Sequence, residues 1–336
     1  MPIGILGAGS FGTALAIHAV RAGHAARLWV RRPEAAERMR AERENATYLP
    51  GVELPESLEV VETLDRLADT EPLVVAVPSH GYRDVLASCL AARASSTPLT
   101  VVSATKGIEA ESLARMSRVS AEEAERVGVA CRFAVLSGPT FAAELARGAP
   151  SAAVIASADE EAATALRETL ASPTLRLYSS ADVTGVELAG TAKNVIAIAA
   201  GVVAGLGLGH NTLAALITRG LHEMTRLVLA YGGEAETLRG LAGLGDLVLT
   251  CTGGLSRNRR TGHELAQGKT LETILGETTE VAEGVKNSRV IARLAADAGV
   301  EMPISEQMVS VLYEGKGARQ AVHELMTRDL KREAEL

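Results

Sequence analysis

Six lysines stand among the 34 Lys and Arg residues of this chain. Where arginine is the rule, a lysine in a nearly uncharged stretch points to something arginine cannot do, which is to give up its proton. Lys193 lies in Val186-Glu187-Leu188-Ala189-Gly190-Thr191-Ala192-Lys193-Asn194-Val195-Ile196. On a helix its neighbours three, four, seven and eight positions away are Gly185, Val186, Ala189, Gly190, Ile196, Ala197, Ala200 and Gly201, a small and apolar surface. Such a surface leaves room for a ligand or a closely packed domain, and partial desolvation there favours the neutral amine that a general base needs. The alternative is an alanine-rich buried helix whose lysine snorkels to water.

A second chemistry is written in glycines. Gly7-Ala8-Gly9-Ser10-Phe11-Gly12 follows an apolar run directly and opens the helical stretch 13–22. In that context the first glycine makes the tight turn, the second lets a pyrophosphate approach the backbone, and the third packs helix on strand. The motif predicts a dinucleotide site, against a structural glycine turn. About 20 residues on, where NAD-selective folds carry an acidic residue that binds the ribose hydroxyls, stand Arg31 and Arg32. Two guanidinium groups suit an extra 2′-phosphate, so NADP is the expected cofactor, with NAD possible; a solvated arginine pair at a strand end is the competing account.

Three further groups could complete a reaction. Lys106, in Ala104-Thr105-Lys106-Gly107, follows the run 99–103 and sets a cation at a strand's carboxyl end, where it either bridges cofactor and substrate or is an ordinary loop lysine. Ser137-Gly138-Pro139-Thr140-Phe141-Ala142 holds the matching place after the run 133–136, as a crevice lining or a plain turn into a helix. Ser256-Arg257-Asn258-Arg259-Arg260-Thr261-Gly262 precedes or begins the helical stretch 263–267. Cations oppose the macrodipole at a helix start, so clustering them there suggests an anion: a phosphate taking the Ser256 hydroxyl, the Asn258 amide and the Arg257 guanidinium. A solvated charge run is the other reading. Asp246, in Gly243-Leu244-Gly245-Asp246-Leu247, either orients a substrate hydroxyl or the catalytic lysine, or caps a helix. The seven histidines show no metal-ligand spacing, and no metal is expected.

These residues must be positioned by a scaffold with two rhythms. Strand-like runs at 3–6, 26–30, 73–77, 99–103, 133–136, 152–156 and 175–178 alternate with helical stretches. That cadence, with nearly continuous apolar strands, indicates an α/β fold: a Rossmann-like, doubly wound, mostly parallel sheet covered on both faces. Ligands then belong at the carboxyl ends of the strands. After Ser180 the runs stop, and helical periodicity fills 183–200, 212–231, 281–298 and 304–313. The division expected is a dinucleotide-binding domain over 1–181 and an all-helical substrate and catalytic domain over 182–336, with Asp182 placed to cap the first helix. The apolar stretch 195–208 reads as a buried helix and loop, too short for a membrane span and broken by Gly201, Gly205 and Gly207.

Composition narrows the partners. The net charge is −7 over 336 residues and aromatics make up 3%, which argues against nucleic-acid binding, so that any phosphate chemistry is expected to involve small molecules. Cys89, Cys131 and Cys251 are odd in number and far apart. They support neither a disulfide framework nor a zinc site, and fit a reducing cytoplasm. The N-terminus lacks the charged region, long apolar run and cleavage site of a signal peptide.

With these motifs in place, the sequence resembles the NAD(P)-dependent glycerol-3-phosphate dehydrogenase family of bacterial type. The similarity runs through 7–16, Ala104-Thr105-Lys106-Gly107, 137–144, 186–201, 243–262 and Val281-Ala282-Glu283-Gly284-Val285. The Glu-Leu-x-Gly-x-x-Lys-Asn-Val block and the Gly-Leu-Gly-Asp-Leu and Ser-Arg-Asn-Arg blocks are together highly specific. The resemblance implies interconversion of sn-glycerol 3-phosphate and dihydroxyacetone phosphate, supplying the glycerol backbone of phospholipids. It implies Lys193 as general acid and base, with Lys106, Gly138, Thr140, Asp246, Ser256, Arg257 and Asn258 around the substrate. It implies that Ser10, Phe11, Arg31, Arg32, Lys106, Ala142, Arg257, Val281 and Glu283 contact the cofactor, beside Gly7, Gly9 and Gly12 of the loop. Three places depart from the family pattern: Phe11 where Trp is common, Thr140 where Ser is frequent, and Thr191-Ala192 where Ala-Leu is usual. The first two preserve an aromatic ring and a hydroxyl; the third alters the packing beside Lys193. The expected assembly is a homodimer. On residues alone, an NADP-dependent reductase of a small keto or β-hydroxy acid and a non-catalytic NADP-binding regulator remain as alternatives.

Overall fold

The computed structural model describes residues 1–93, 98–277, 282–330, 332 and 333. The chain separates into two compact units, Met1–Val183 and Thr184–Leu336.

The first unit alternates strand and helix: β1 (Ile3–Leu6), α1 (Ser10–Arg21), β2 (Ala26–Trp29), α2 (Pro33–Glu42), β3 (Glu44–Asn45), β4 (Leu49–Glu53), β5 (Leu58–Val61), β6 (Leu73–Val75), α3 (Ser79–Ala91), β7 (Leu99–Ser103), α4 (Met116–Val127), β8 (Cys131–Ser137), α5 (Ala142–Arg147), β9 (Ser151–Ala156), α6 (Glu160–Leu170) and β10 (Leu175–Ser180). The described strands form one eight-stranded sheet in the order β10-β9-β8-β7-β6-β1-β2-β5, with β3 and β4 as a separate antiparallel pair. Every pairing in the large sheet is parallel except β8 with β9. Alternate residues feed opposite faces, as the pleat demands. Ile3, Ile5, Leu28, Val74 and Val102 pack with Leu15, Ile17 and Leu145, whereas Leu6, Trp29, Val75 and Val101 pack with Tyr82, Leu86 and Val119. Strand order runs away in both directions from the β1–β6 pair, so the crevice outside their carboxyl ends is the topological switch point where such sheets take ligands.

Among the described residues the second unit holds helices and no strand: α7 (Val183–Gly205, beginning at the boundary), α8 (Gly209–Ala230), α9 (Ala235–Arg239), a π-turn (Leu241–Gly245), α10 (Asp246–Thr252), α11 (Arg257–Ala266), α12 (Leu271–Gly276), α13 (Glu283–Asp297), α14 (Pro303–Tyr313) and α15 (Ala318–Met326). Helix α7 corrects the sequence reading of its apolar stretch. Gly201 lies inside the helix and does not break it, and the helix runs on to end at Gly205, before the loop. They are small because α11 crosses there: a Cβ on Gly201 would stand 2.0 Å from the Arg259 carbonyl oxygen, and one on Gly262 of α11 would stand 1.9 Å from the Ile198 oxygen. No L side chain fits between the two backbones. At 23 residues, with a mean hydropathy of 1.5 over its most apolar window, α7 is the one helix among the described residues long and apolar enough to cross a membrane; 89% of that window is buried within the protein, as in a core helix.

Candidate active site

In the first unit the glycine loop joins β1 to α1. Gly7 has φ +110°, a turn that L side chains rarely make, and a Cβ on Gly12 would lie 1.9 Å from the Gly7 carbonyl oxygen, so helix and loop touch through it. Gly9 differs, because nothing lies within 4 Å of where its Cβ would stand. One glycine turns the chain, one lets the helix approach, and the middle one keeps its outer face open, which is the shape a pyrophosphate requires. Ser10 is the first residue of α1.

The loops after β1, β7 and β8 bring their side chains together. Lys106 Nζ lies 5.9 Å from the centre of the Phe11 ring and donates to the Gly138 carbonyl at 3.3 Å, an oxygen that also accepts from Thr140 Oγ1 at 3.2 Å. Lys106 is half-buried, so it is not a loop lysine extended into solvent. Ala142 is the first residue of α5. Arg31 and Arg32 follow β2, both exposed, and neither side chain makes a hydrogen bond or ion pair among the described residues. Two unpaired guanidinium groups one strand away from the glycine loop are available to an anion. The cradle and the cations together fit a dinucleotide.

In the second unit Lys193 does not snorkel. It is 5% exposed, and its Nζ donates to Asp246 Oδ1 and to Thr250 Oγ1, each at 2.7 Å. Asp246 is 1% exposed and is the first residue of α10; Gly245, at the end of the π-turn, is the cap, which removes the capping account of Asp246. Thr250, one turn along α10, donates its own hydroxyl hydrogen to the Asp246 backbone oxygen at 2.6 Å. A lone pair of Thr250 therefore faces the ammonium. Burial disfavours the charged amine and the adjacent carboxylate favours it, so the site holds a lysine by two opposed effects. Burial pushes the thiol of Cys251, next along, up to about 12, which disfavours the reactive thiolate.

The residue after the lysine ties this pair to the arginine run. Asn258 Nδ2 donates to Asn194 Oδ1 at 3.0 Å, and Asn258 Oδ1 accepts from the Gly284 backbone N–H at 2.9 Å, so α7, α11 and the first turn of α13 are held by one amide. Ser256 caps α11, accepting from Arg259 N at 3.2 Å, and Arg257 is the first helical residue. The arginines therefore do lie on a helix N-terminus. Glu283 opens α13. Val281 lies outside the described residues. Thr191, at one departure from the family pattern, turns its hydroxyl to the Glu187 carbonyl of its own helix at 2.8 Å.

Two residues escaped the sequence reading. Thr250 is one; its only signal is a hydroxyl four residues after Asp246, the spacing that stacks side chains on a helix. The other is Asn45, whose amide reaches the glycine loop from β3. Among the described residues no group of three or more His, Cys, Asp or Glu side chains is placed to hold a metal ion.

Comparison with known proteins follows the same lines. Family models for the NAD-dependent glycerol-3-phosphate dehydrogenase N-terminus and C-terminus match residues 2–163 and 182–323. The chain is 51% identical over 332 residues to the glycerol-3-phosphate dehydrogenase (NAD(P)+) of Geobacter sulfurreducens, covering 98% of each. It is 47% identical over 334 residues to the protein of the same name from Solidesulfovibrio magneticus, covering 99% of this chain and 100% of that one. The crystal structure of glycerol-3-phosphate dehydrogenase from Coxiella burnetii superposes with a TM-score of 0.92 at 40% identity, covering 97% of this chain and 99% of that chain. A ketopantoate reductase from Ralstonia eutropha, 15% identical with a TM-score of 0.59 over 97% and 100% of the two chains, shares the fold alone. Matched in both units and along nearly its whole length, the chain belongs to the NAD-dependent glycerol-3-phosphate dehydrogenase family.

Proposed function

We propose that this chain interconverts dihydroxyacetone phosphate and sn-glycerol 3-phosphate with NADP(H) in preference to NAD(H), and that Lys193 is its proton donor and acceptor. The observation that carries the assignment of Lys193 is the buried ammonium held 2.7 Å from both Asp246 Oδ1 and Thr250 Oγ1. Those two acceptors hold the ammonium in place. In the reduction it gives a proton to the substrate's C2 oxygen; in the oxidation the neutral amine takes it back. When bound, the dihydronicotinamide supplies the hydride that C2 receives.

The phosphate of the substrate is assigned to Ser256 and Arg257. The Ser256 oxygen is committed as an acceptor to its helix cap, which leaves its hydroxyl hydrogen to donate. Asn258 has one amide hydrogen on Asn194, so its part is the second hydrogen and the placing of α11. In the first unit Lys106, Gly138 and Thr140 are assigned to the substrate. The cofactor is assigned to Gly7, Gly9, Ser10, Phe11, Gly12, Lys106 and Ala142, and, on the family resemblance, to Arg257, Glu283 and Val281, the last outside the described residues. The preference for NADP rests on Arg31 and Arg32, whose unpaired guanidinium groups suit a 2′-phosphate and offer no acceptor for ribose hydroxyls. Of the readings that residues alone left open, the family selects the phosphorylated triose over a keto or β-hydroxy acid.

The reading includes a homodimer in the cytoplasm that feeds glycerophospholipid synthesis; the three free cysteines suit that compartment, and sedimentation equilibrium tests the dimer. The decisive assay follows NADPH and NADH oxidation with dihydroxyacetone phosphate, against dihydroxyacetone and pyruvate. Efficient turnover is expected with the phosphorylated triose, faster with NADPH, against a poor rate with dihydroxyacetone and none with pyruvate. Equal rates with pyruvate would overturn the substrate assignment, and equal efficiency with NADH the cofactor preference.

A further inference from the structure

A glycine loop binds pyrophosphate only if its backbone N–H groups point the right way, and glycines leave that direction soft. Gly12 fixes one end of the loop by its contact with Gly7. The middle is held from outside it. Asn45, in the two-stranded β3–β4 hairpin, is 4% exposed, and its Nδ2 donates to the Ala8 carbonyl at 2.9 Å and to Thr13 Oγ1 at 2.8 Å. Its Oδ1 accepts from Tyr48 N at 3.3 Å. A carbonyl can only accept, so the nitrogen end of the amide must face Ala8. The hairpin is itself anchored: Leu49 and Val52 of β4 are buried in the same cluster as Leu15 of α1 and Leu145 of α5.

The Ala8 carbonyl and the Gly9 N–H belong to one planar trans peptide and point in opposite directions. Pinning that oxygen on the hairpin side therefore aims the Gly9 N–H away from the hairpin, at the residue whose outer face is open. Thr13, fully buried in the first turn of α1, donates its backbone N–H to the Gly9 oxygen at 2.9 Å, so the same amide also braces the peptide that follows. We propose that Asn45 is a positioning residue for dinucleotide binding, a clamp from the β3–β4 hairpin that presets the glycine loop for the pyrophosphate. This rests on reading the loop as the dinucleotide site. Asn45 acts on the part common to NADH and NADPH, whereas Arg31 and Arg32 act on the 2′-phosphate.

The test is calorimetric binding to the whole chain, without turnover, using ADP-ribose, which carries the pyrophosphate, and adenosine 2′-monophosphate, which does not. Asn45→Ala is expected to weaken ADP-ribose, NADH and NADPH alike, by about tenfold to thirtyfold for two lost hydrogen bonds, with adenosine 2′-monophosphate unchanged and kcat at saturating cofactor within about twofold. Asn45→Asp keeps the volume but turns an acceptor on Ala8 and adds negative charge beside the pyrophosphate; it is expected to weaken ADP-ribose more than alanine does, and it serves if the alanine variant fails to fold. Unchanged ADP-ribose affinity in the variants would overturn the clamp. So would a parallel loss of adenosine 2′-monophosphate, which would mark a general collapse of the unit. Failure of the parent chain to bind ADP-ribose would instead remove the dinucleotide reading on which the clamp depends.

Discussion

Replacing Lys193 by Met and Asp246 by Leu, singly and together, separates what the buried pair does for folding from what it does for the reaction. The two side chains are 6% and 2% exposed with Nζ and Oδ1 2.7 Å apart. Removing one partner deprives the other, which stays buried, of the opposite charge at 2.7 Å, at a cost of about 3–5 kcal/mol, or about two to three and a half powers of ten in the unfolding constant. Removing both takes both buried charges away together. Thr250 then still donates to the residue 246 backbone oxygen, a bond that Asp246→Leu keeps, so the double variant is expected within about 1 kcal/mol of the parent. Activity behaves differently. Every variant lacking Lys193 is expected to lose about 100-fold to 10,000-fold in turnover, the range for a general acid or base, and the double variant recovers none of it. Stability is read by urea unfolding, followed by far-ultraviolet circular dichroism because Trp29, the single tryptophan, reports on the first unit only. A double variant as unstable as the worse single one would refute the electrostatic account of the pair. A Lys193 variant within about tenfold of parental turnover would refute its role in proton transfer.

Arg31→Asp with Arg32→Ala is expected to weaken NADPH by about tenfold to a hundredfold, the worth of one charge-assisted hydrogen bond to the 2′-phosphate, with NADH nearly unaffected; equal losses in steady-state kinetics with both cofactors would count against the assignment. Arg257→Ala is expected to lower both kcat and kcat/KM for dihydroxyacetone phosphate while leaving the poor rate with unphosphorylated dihydroxyacetone unchanged, because remote phosphate binding positions the reacting carbon; parallel losses would assign Arg257 to the cofactor or the fold. The two units are expected to respond oppositely to pH. Burial holds His18 below its ordinary 6.5, so its contribution to the first unit is present above that value and is lost as pH falls beneath it. Glu223 accepts from the Ile304 and Ser305 backbone N–H groups at the start of α14, yet burial pushes it up to about 7 from 4.5, so its contribution to the second unit is full below pH 4.5 and is lost as pH rises through about 7. Urea midpoints of Trp29 fluorescence and of helical dichroism between pH 4.5 and 8 should move in opposite senses, and His18→Gln and Glu223→Gln should each flatten one of them.

The sheet was legible where strands are buried on both faces. Residues 3–6 and 99–103 are bounded as expected because an unbroken apolar run can only be a covered strand. The hairpin and the edge strand between residues 44 and 61 were not, since Pro50 and Gly51 look like a turn and Glu59 interrupts Leu58-Val60-Val61, whose exposed side tolerates a charge. Glycines 201 and 205 misled for a related reason: a breaker and a close helix crossing use the same residue, and only the position of α11 tells them apart. At the candidate site the sequence offered Asp246 as a partner for Lys193 beside two other roles, and the fold, by bringing residues 53 apart in the chain to 2.7 Å, selects among them. Asn45 carries no motif at all. A single asparagine among Arg43, Glu44, Ala46 and Thr47 has meaning only once a hairpin delivers it to a carbonyl on another loop.

Helix α7 also has a history on the ribosome. For as long as α11 and the other helices of its unit are unsynthesised, its 23 residues emerge as an apolar segment of the length and hydropathy that membrane-insertion machinery accepts. Lys193 is the eleventh of those residues, near the middle, where a lysine costs about 2.5–3.5 kcal/mol to place in lipid, enough to offset several leucines or valines at about 0.3–0.6 kcal/mol each. An apolar replacement there would remove that cost and leave α7 with the composition of a membrane span, as well as without the proposed proton donor.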